Sequence, residues 1–354
     1  MPGRLDLSGS DHRLEGGRPA FQHVQSRAII LPMKALQYRG PADVLVVDVP
    51  RPVPDAQEIV VRVAAWLTCT HWELTLWDGV DIFERSDHPK YPLDPGWPGH
   101  EWSGVVVEVG EGVSRVTVGD HVAFWGSAPG DKRISMCSYL EYKVVHEASV
   151  LPFPTKHSFA GAALLEMLTS VCSSVVRAGS VSGKRVGVSG LGAAGLLCTQ
   201  ALRALAPGEL IGFDPVSERR ELARRAGADQ SLAPGSSEWE ALRATPPDLT
   251  IECSGSGEAI SGALNVTKGR VLVFGVPHGP VAFGPDQWRS GVTLEGYGGR
   301  LRAAADLARH LLVTRQVDES LYVSDTLPLE SYAKAVDLLR RKKAIKVCLL
   351  PASG

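Results

Sequence analysis

The sequence predicts an α/β protein in which a β-rich unit of barrel type precedes a doubly wound parallel sheet. Three observations carry that expectation. The stretch Val186 to Asp214 reads as an apolar, β-branched strand, a glycine turn, an apolar run of helical period and a second strand. After Asp214, strand and helix patterns alternate, as a parallel sheet requires. From Met33 to about Pro154 the chain instead shows short apolar runs separated by Gly, Pro and Asp. With 354 residues the chain is also longer than one core usually serves.

Residues 1–32 are polar and without clear period; they are expected to be a disordered extension. Strands are expected at Ala35–Tyr38, Glu58–Ala65, Gly104–Val109, His121–Trp125 and Glu141–Val145, and a helix at Ser158–Ala178. Beyond the glycine turn the pattern gives strands at Glu209–Phe213, Leu249–Cys253, Arg270–Val276 and Val292–Gly296. Helices at Ser217–Ala226, Glu258–Asn265 and Leu301–Val313 alternate with them. A last helix, Leu329–Leu339, and strand, Ile345–Leu350, are expected to return to the first unit. The expected domains are thus 33–157 with 316–354, and 158–315.

Gly190-Leu191-Gly192-Ala193-Ala194-Gly195 closes the first strand of the second unit. Its glycines permit a tight turn, a close approach of backbone to a pyrophosphate and tight packing of helix on strand. Free N–H groups and the dipole at the helix start then favour the diphosphate. Asp214 ends the next strand about twenty residues on, where a carboxylate meets a ribose 2′-hydroxyl. It would repel a 2′-phosphate, so NAD(H) is expected over NADP(H). Arg219, Arg220, Arg224 and Arg225 follow, either as partners for such a phosphate or as solvated helix charges.

A formal net charge of −2 speaks against nucleic acid or an anionic membrane as partner, and small molecules are the expected ligands. Six scattered cysteines form neither a disulfide framework nor a CxxC knuckle, which suits a reducing cytoplasm. Cys69 and the segment Gly99-His100-Glu101 are the candidate chemical residues. A cysteine and a histidine from separate loops, completed by a carboxylate, would make a zinc site with one open position. The same residues also suit a buried thiol and a structural histidine.

The motif Gly99-His100-Glu101 with Gly104, followed by Gly119-Asp120-His121-Val122, resembles the zinc-dependent medium-chain dehydrogenase/reductase superfamily, its alcohol and polyol dehydrogenases in particular. The glycine turn, Asp214 and the Lys346-Val347 strand match too, so the resemblance covers nearly all of the chain from Met33 onward. It implies a GroES-like catalytic domain and a Rossmann domain. It also implies Cys69 and His100 as zinc ligands, with Glu101 ligating or supporting them. Ala163-Leu164-Leu165-Glu166-Met167-Leu168 is similar to a segment of the sorbitol dehydrogenase branch and makes Glu166 the third ligand, with Cys172 as competitor. The lobe for structural zinc, expected near Gly126–Tyr139, holds only Cys137, so one catalytic zinc and no structural zinc are expected.

The family's proton-relay Ser or Thr and the following Asp are replaced here by His71 and Trp72. His71 is the candidate relay, with Thr70 and Glu73 as substitutes. By resemblance, Val276 sets a backbone group against the nicotinamide carboxamide, and the protein forms dimers or tetramers. The implied reaction interconverts a secondary alcohol, polyol, cyclitol or sugar-like, and its ketone. Some resemblance to 2-deoxy-scyllo-inosamine dehydrogenases, in Gly99-His100-Glu101-Trp102-Ser103-Gly104 after Tyr91-Pro92, leans toward a cyclitol. The competing readings are a zinc-free quinone or enone reductase of the same superfamily and a non-catalytic dinucleotide-binding protein.

Overall fold

The computed structural model describes residues 32–80, 90–128 and 137–351. The expected N-terminal extension lies outside these residues but for its last residue, as do residues 81–89 and the middle of the 126–139 lobe.

The β-rich part begins with a hairpin of β1 (Pro32–Gly40) and β2 (Asp43–Pro50). There follow β3 (Glu58–Leu67), α1 (Thr70–Trp77), β4 (Glu101–Val109), β5 (His121–Phe124), β6 (Tyr142–His146) and β7 (Val150–Phe153). The helix expected at Ser158–Ala178 forms as α2 (Phe159–Ala163) and α3 (Leu165–Ala178), divided at the buried Leu164. The Ser158 hydroxyl caps α2 by accepting from the Gly161 N–H.

The second part alternates as the sequence pattern requires: β8 (Arg185–Ser189), α4 (Ala193–Arg203), β9 (Glu209–Phe213), α5 (Ser217–Arg225), β10 (Gln230–Leu232), α6 (Ser237–Ala241), β11 (Leu249–Glu252), α7 (Gly257–Val266), β12 (Arg270–Val273), α8 (Pro285–Ser290), β13 (Thr293–Gly296) and α9 (Arg302–Val313). The chain closes with β14 (Val323–Pro328), α10 (Tyr332–Arg340) and β15 (Lys346–Leu350).

Strands β8 to β13 form a six-stranded parallel sheet in the order β10-β9-β8-β11-β12-β13, with the order reversing beside β8. That reversal opens a crevice at the carboxyl ends of β8 and β11, where dinucleotides bind in this architecture. Besides the two-stranded β1-β2 sheet, a further sheet is seven-stranded, in the order β14-β15-β3-β4-β5-β7 with β6 also on β3. The C-terminal strands therefore do return to the β-rich part.

β3 is central in that sheet, and Ile59, Val61, Val63 and Trp66 enter a core with Tyr38, Trp102, Val106, Tyr139 and Tyr332. Gly104 of β4 lies opposite Val63, where a Cβ would come 2.2 Å from the Arg62 carbonyl oxygen. The glycine of the GHE-x-x-G motif thus lets β4 lie close to β3 and fixes where His100 and Glu101 emerge. Among the described residues, no helix is long and apolar enough to cross a membrane.

Candidate active site

Cys69 lies just past the end of β3 and is the N-cap of α1, with extended φ and ψ of −116° and 109°. Its backbone N–H donates to Glu73 Oε2 at 2.8 Å, and its sulfur accepts from the Trp72 N–H. His100 and Glu101 enter at the start of β4. His100 Nδ1 donates to the Pro98 carbonyl at 2.8 Å, which leaves Nε2 with a free lone pair. Here a carbonyl orients the imidazole, and Trp72 packs tilted against it with ring centroids 5.5 Å apart. The fully buried Glu101 carboxylate is gripped by Lys346 Nζ at 2.6 and 2.7 Å, and the same ammonium reaches the Thr68 carbonyl at 3.0 Å.

The ligand atoms of Cys69, His100 and Glu101 all lie within 4.8 Å of one another. Burial pushes the His100 pKa down to about 3, with the Arg300 and Lys346 charges adding to the effect, so the imidazole is neutral as a ligand must be. Burial, then the Glu101 carboxylate, raises the Cys69 thiol pKa in the metal-free protein, whereas a bound cation deprotonates such a thiol. A thiol, a neutral imidazole with a free nitrogen and a carboxylate are the donor set of a catalytic zinc ion, so the residues present fit that group.

Glu166, the expected third ligand, is held in a different arrangement from Cys69, His100 and Glu101. It sits in the first turn of α3, buried, but it is not part of the compact trio. Its Oε1 is engaged by the Arg300 guanidinium, whose Nε donates to Ser170 Oγ at 2.7 Å. Arg300 follows Gly298 and Gly299, both at positive φ (67° and 83°), a turn that brings the arginine back over α3. Cys172 is fully buried in the apolar core, a packing residue. His71 is exposed on α1. Trp72 and Trp97 are half-buried, 6.0 Å apart, beside His100, whereas Trp66 and Trp102 are core.

In the glycine turn, Gly190 takes φ +80° and Gly192 is the N-cap of α4. A Cβ on Gly195 would stand 1.9 Å from the Gly190 carbonyl oxygen, so only glycine lets α4 start this close to the turn. Ala193 and Ala194 open α4. Asp214 accepts from the Leu191 N–H through Oδ2 and from the Val216 N–H through Oδ1, both at 2.8 Å. Arg219 approaches Asp214 at 3.7 Å, and Arg220 donates to the Asp214 carbonyl. Arg224 is engaged by Glu221 and Ser231. Val276, partly exposed, follows β12 on the same side of the sheet.

Arg300, the grip of Lys346 on Glu101 and the Glu73–Tyr139 bond were not marked by the sequence pattern. The glycine pair before Arg300 was the one local signal of a special turn.

Comparison with known proteins agrees with this geometry. Residues 55–155 match the alcohol dehydrogenase GroES-like domain, and residues 193–311 match the zinc-binding dehydrogenase domain. The chain is 26% identical over 338 residues to L-threonine 3-dehydrogenase of Bacillus velezensis, covering 86% of this chain and 94% of the relative. It is 26% identical over 300 residues to sorbitol dehydrogenase of Gallus gallus, covering 72% and 80%. In fold it is similar to 2R,3R-butanediol dehydrogenase from Bacillus subtilis, with a TM-score of 0.79, 22% identity and coverage of 90% and 99%. Galactitol-1-phosphate dehydrogenase from Escherichia coli is likewise similar, with a TM-score of 0.77, 22% identity and coverage of 90% and 100%. The paired domains, the Cys-His-Glu trio and these relatives together show that the chain belongs to the zinc-type medium-chain dehydrogenase/reductase superfamily, an oxidoreductase family.

Proposed function

We propose that this protein interconverts a secondary alcohol and its ketone with NAD(H), and that the alcohol is a polyol, cyclitol or sugar-like compound. The observation that carries the reading is the convergence of Cys69, His100 and Glu101 within 4.8 Å in a chain that also builds a dinucleotide crevice. Relatives named for sorbitol, butanediol and threonine support a hydroxylated substrate.

When bound, zinc supplies Lewis acidity toward a substrate oxygen, and the nicotinamide supplies the hydride acceptor or donor. Cys69, His100 and Glu101 would hold the metal, while Lys346 balances the buried charge of Glu101. Arg300 and Glu166 set a paired cation and carboxylate next to that trio, able to hydrogen-bond hydroxyl groups of a polar substrate. His71 is the side chain that passes a proton to solvent from the exposed face of α1. The backbone N–H groups at the start of α4 take the diphosphate, Asp214 takes the adenosine ribose and Val276 faces the carboxamide. One zinc per chain, a reducing cytoplasm and a homodimer or homotetramer complete the reading. All six cysteines are free, as that compartment suits.

The test is turnover of purified protein with NAD+ or NADP+ across a panel of polyols, cyclitols and amino-polyols. Reduction of NAD+ in preference to NADP+ with at least one of these is expected. Preference for NADP+, or turnover confined to quinones or enones, would overturn it.

A further inference from the structure

Beneath the trio lies a buried carboxylate that the proposed chemistry does not use. Glu73, in α1 and 1% exposed, accepts from the Cys69 backbone N–H through Oε2 at 2.8 Å and from the Tyr139 hydroxyl through Oε1 at 2.5 Å. Tyr139, fully buried, belongs to the segment that braces the other ligand loop. Its backbone N–H, and that of Ser138, each donate to the Gly96 carbonyl at 3.0 Å. It also lies against Gly99, where a Cβ would come 2.5 Å from the Tyr139 nitrogen. The segment is pinned in turn to β3 by Trp66 Nε1, which donates to the Ser138 carbonyl at 2.5 Å. The Tyr139 ring packs edge-on against Trp66 and Tyr332, at centroid distances of 6.1 and 5.4 Å.

We infer that Glu73 and Tyr139 are positioning residues that join the loop carrying Cys69 to the loop carrying His100 and so set the separation of the two ligand atoms. Cys69 arrives from the end of β3 and His100 from a loop some thirty residues later, and the Glu73–Tyr139 bond is a direct bridge between their supports. The Cys69 N–H is buried, so losing its acceptor leaves an unsatisfied donor on the ligand residue itself. Outer partners of this kind typically change metal affinity by about 10–100-fold when removed. This inference rests on the metal reading above.

The experiment compares wild type with Tyr139→Phe, Glu73→Leu and Glu73→Gln, measuring zinc affinity by chelator competition, the visible spectrum of the cobalt-substituted protein and NAD(H) affinity. Tyr139→Phe keeps the packed ring and removes only the bridging hydroxyl, so it carries the test even if Glu73→Leu fails to fold. Zinc affinity is expected to fall about 10–100-fold in Tyr139→Phe and Glu73→Leu, with a shifted cobalt spectrum and unchanged NAD(H) affinity. Glu73→Gln, which keeps an acceptor for Cys69, is expected to recover most of the loss. Wild-type zinc affinity and spectrum in Tyr139→Phe would overturn the positioning role alone. A wild type that binds no zinc or cobalt would overturn the metal reading together with it.

Discussion

Arg300 and Glu166 are held together beside the trio, one half-buried and the other almost wholly so. Removing one partner of a fully buried ion pair costs about 3–5 kcal/mol, and less is expected here because about a third of the Arg300 side chain is exposed. Arg300→Met should therefore lower the urea midpoint, whereas Glu166→Gln should leave zinc stoichiometry unchanged; a loss of metal in Glu166→Gln would make Glu166 the third ligand. Asp214 closes the glycine turn and follows the carboxyl end of β9, so Asp214→Ala is expected to weaken NAD(H) binding more than NADP(H) binding in direct titrations. Equal weakening of the two would reduce Asp214 to a clamp. Cys69, His100 and Glu101 were legible because their neighbours form a local motif. Arg300 and Lys346 were not, because their carboxylate partners lie 134 and 245 residues away, a relation that local pattern does not carry.

Among the elements described, eleven of the fifteen strands were legible from their apolar runs, with ends that move by only a few residues, whereas β2, β7, β10 and β14 were not expected. α1 was missed. It is short, its N-cap is Cys69 rather than Ser, Thr, Asp or Asn, and its carboxylate reaches back to the N-cap N–H from Glu73. That unusual cap is the feature that places the candidate ligand at a helix N-terminus. At the other site, the start of α4 depends on Gly195. Gly195→Ala would set a Cβ 1.9 Å from a backbone oxygen that cannot swing away, so α4 must move from the turn. A loss of about 1–3 kcal/mol in stability and a marked loss of NAD(H) affinity are expected, by thermal unfolding and calorimetry. Wild-type affinity in this variant would show that the diphosphate does not use the turn.

For the whole molecule, the two sheets bring the trio, the paired Arg300 and Glu166 and the dinucleotide crevice into one chain that needs both halves. The two connections between the sheets are themselves joined, with His157 Nε2 2.7 Å from Glu319. β13 is an edge strand of the parallel sheet, and Leu294 on it, Trp288 of α8 and Phe283 are exposed large apolar residues. The central claim, that Cys69, His100 and Glu101 form a metal centre, is tested most directly by elemental analysis of protein purified with zinc supplied and chelators omitted. About one zinc per chain, lost in Cys69→Ser and His100→Ala variants that remain folded, is the predicted result. Metal-free wild type, or zinc retained in both variants, would contradict it.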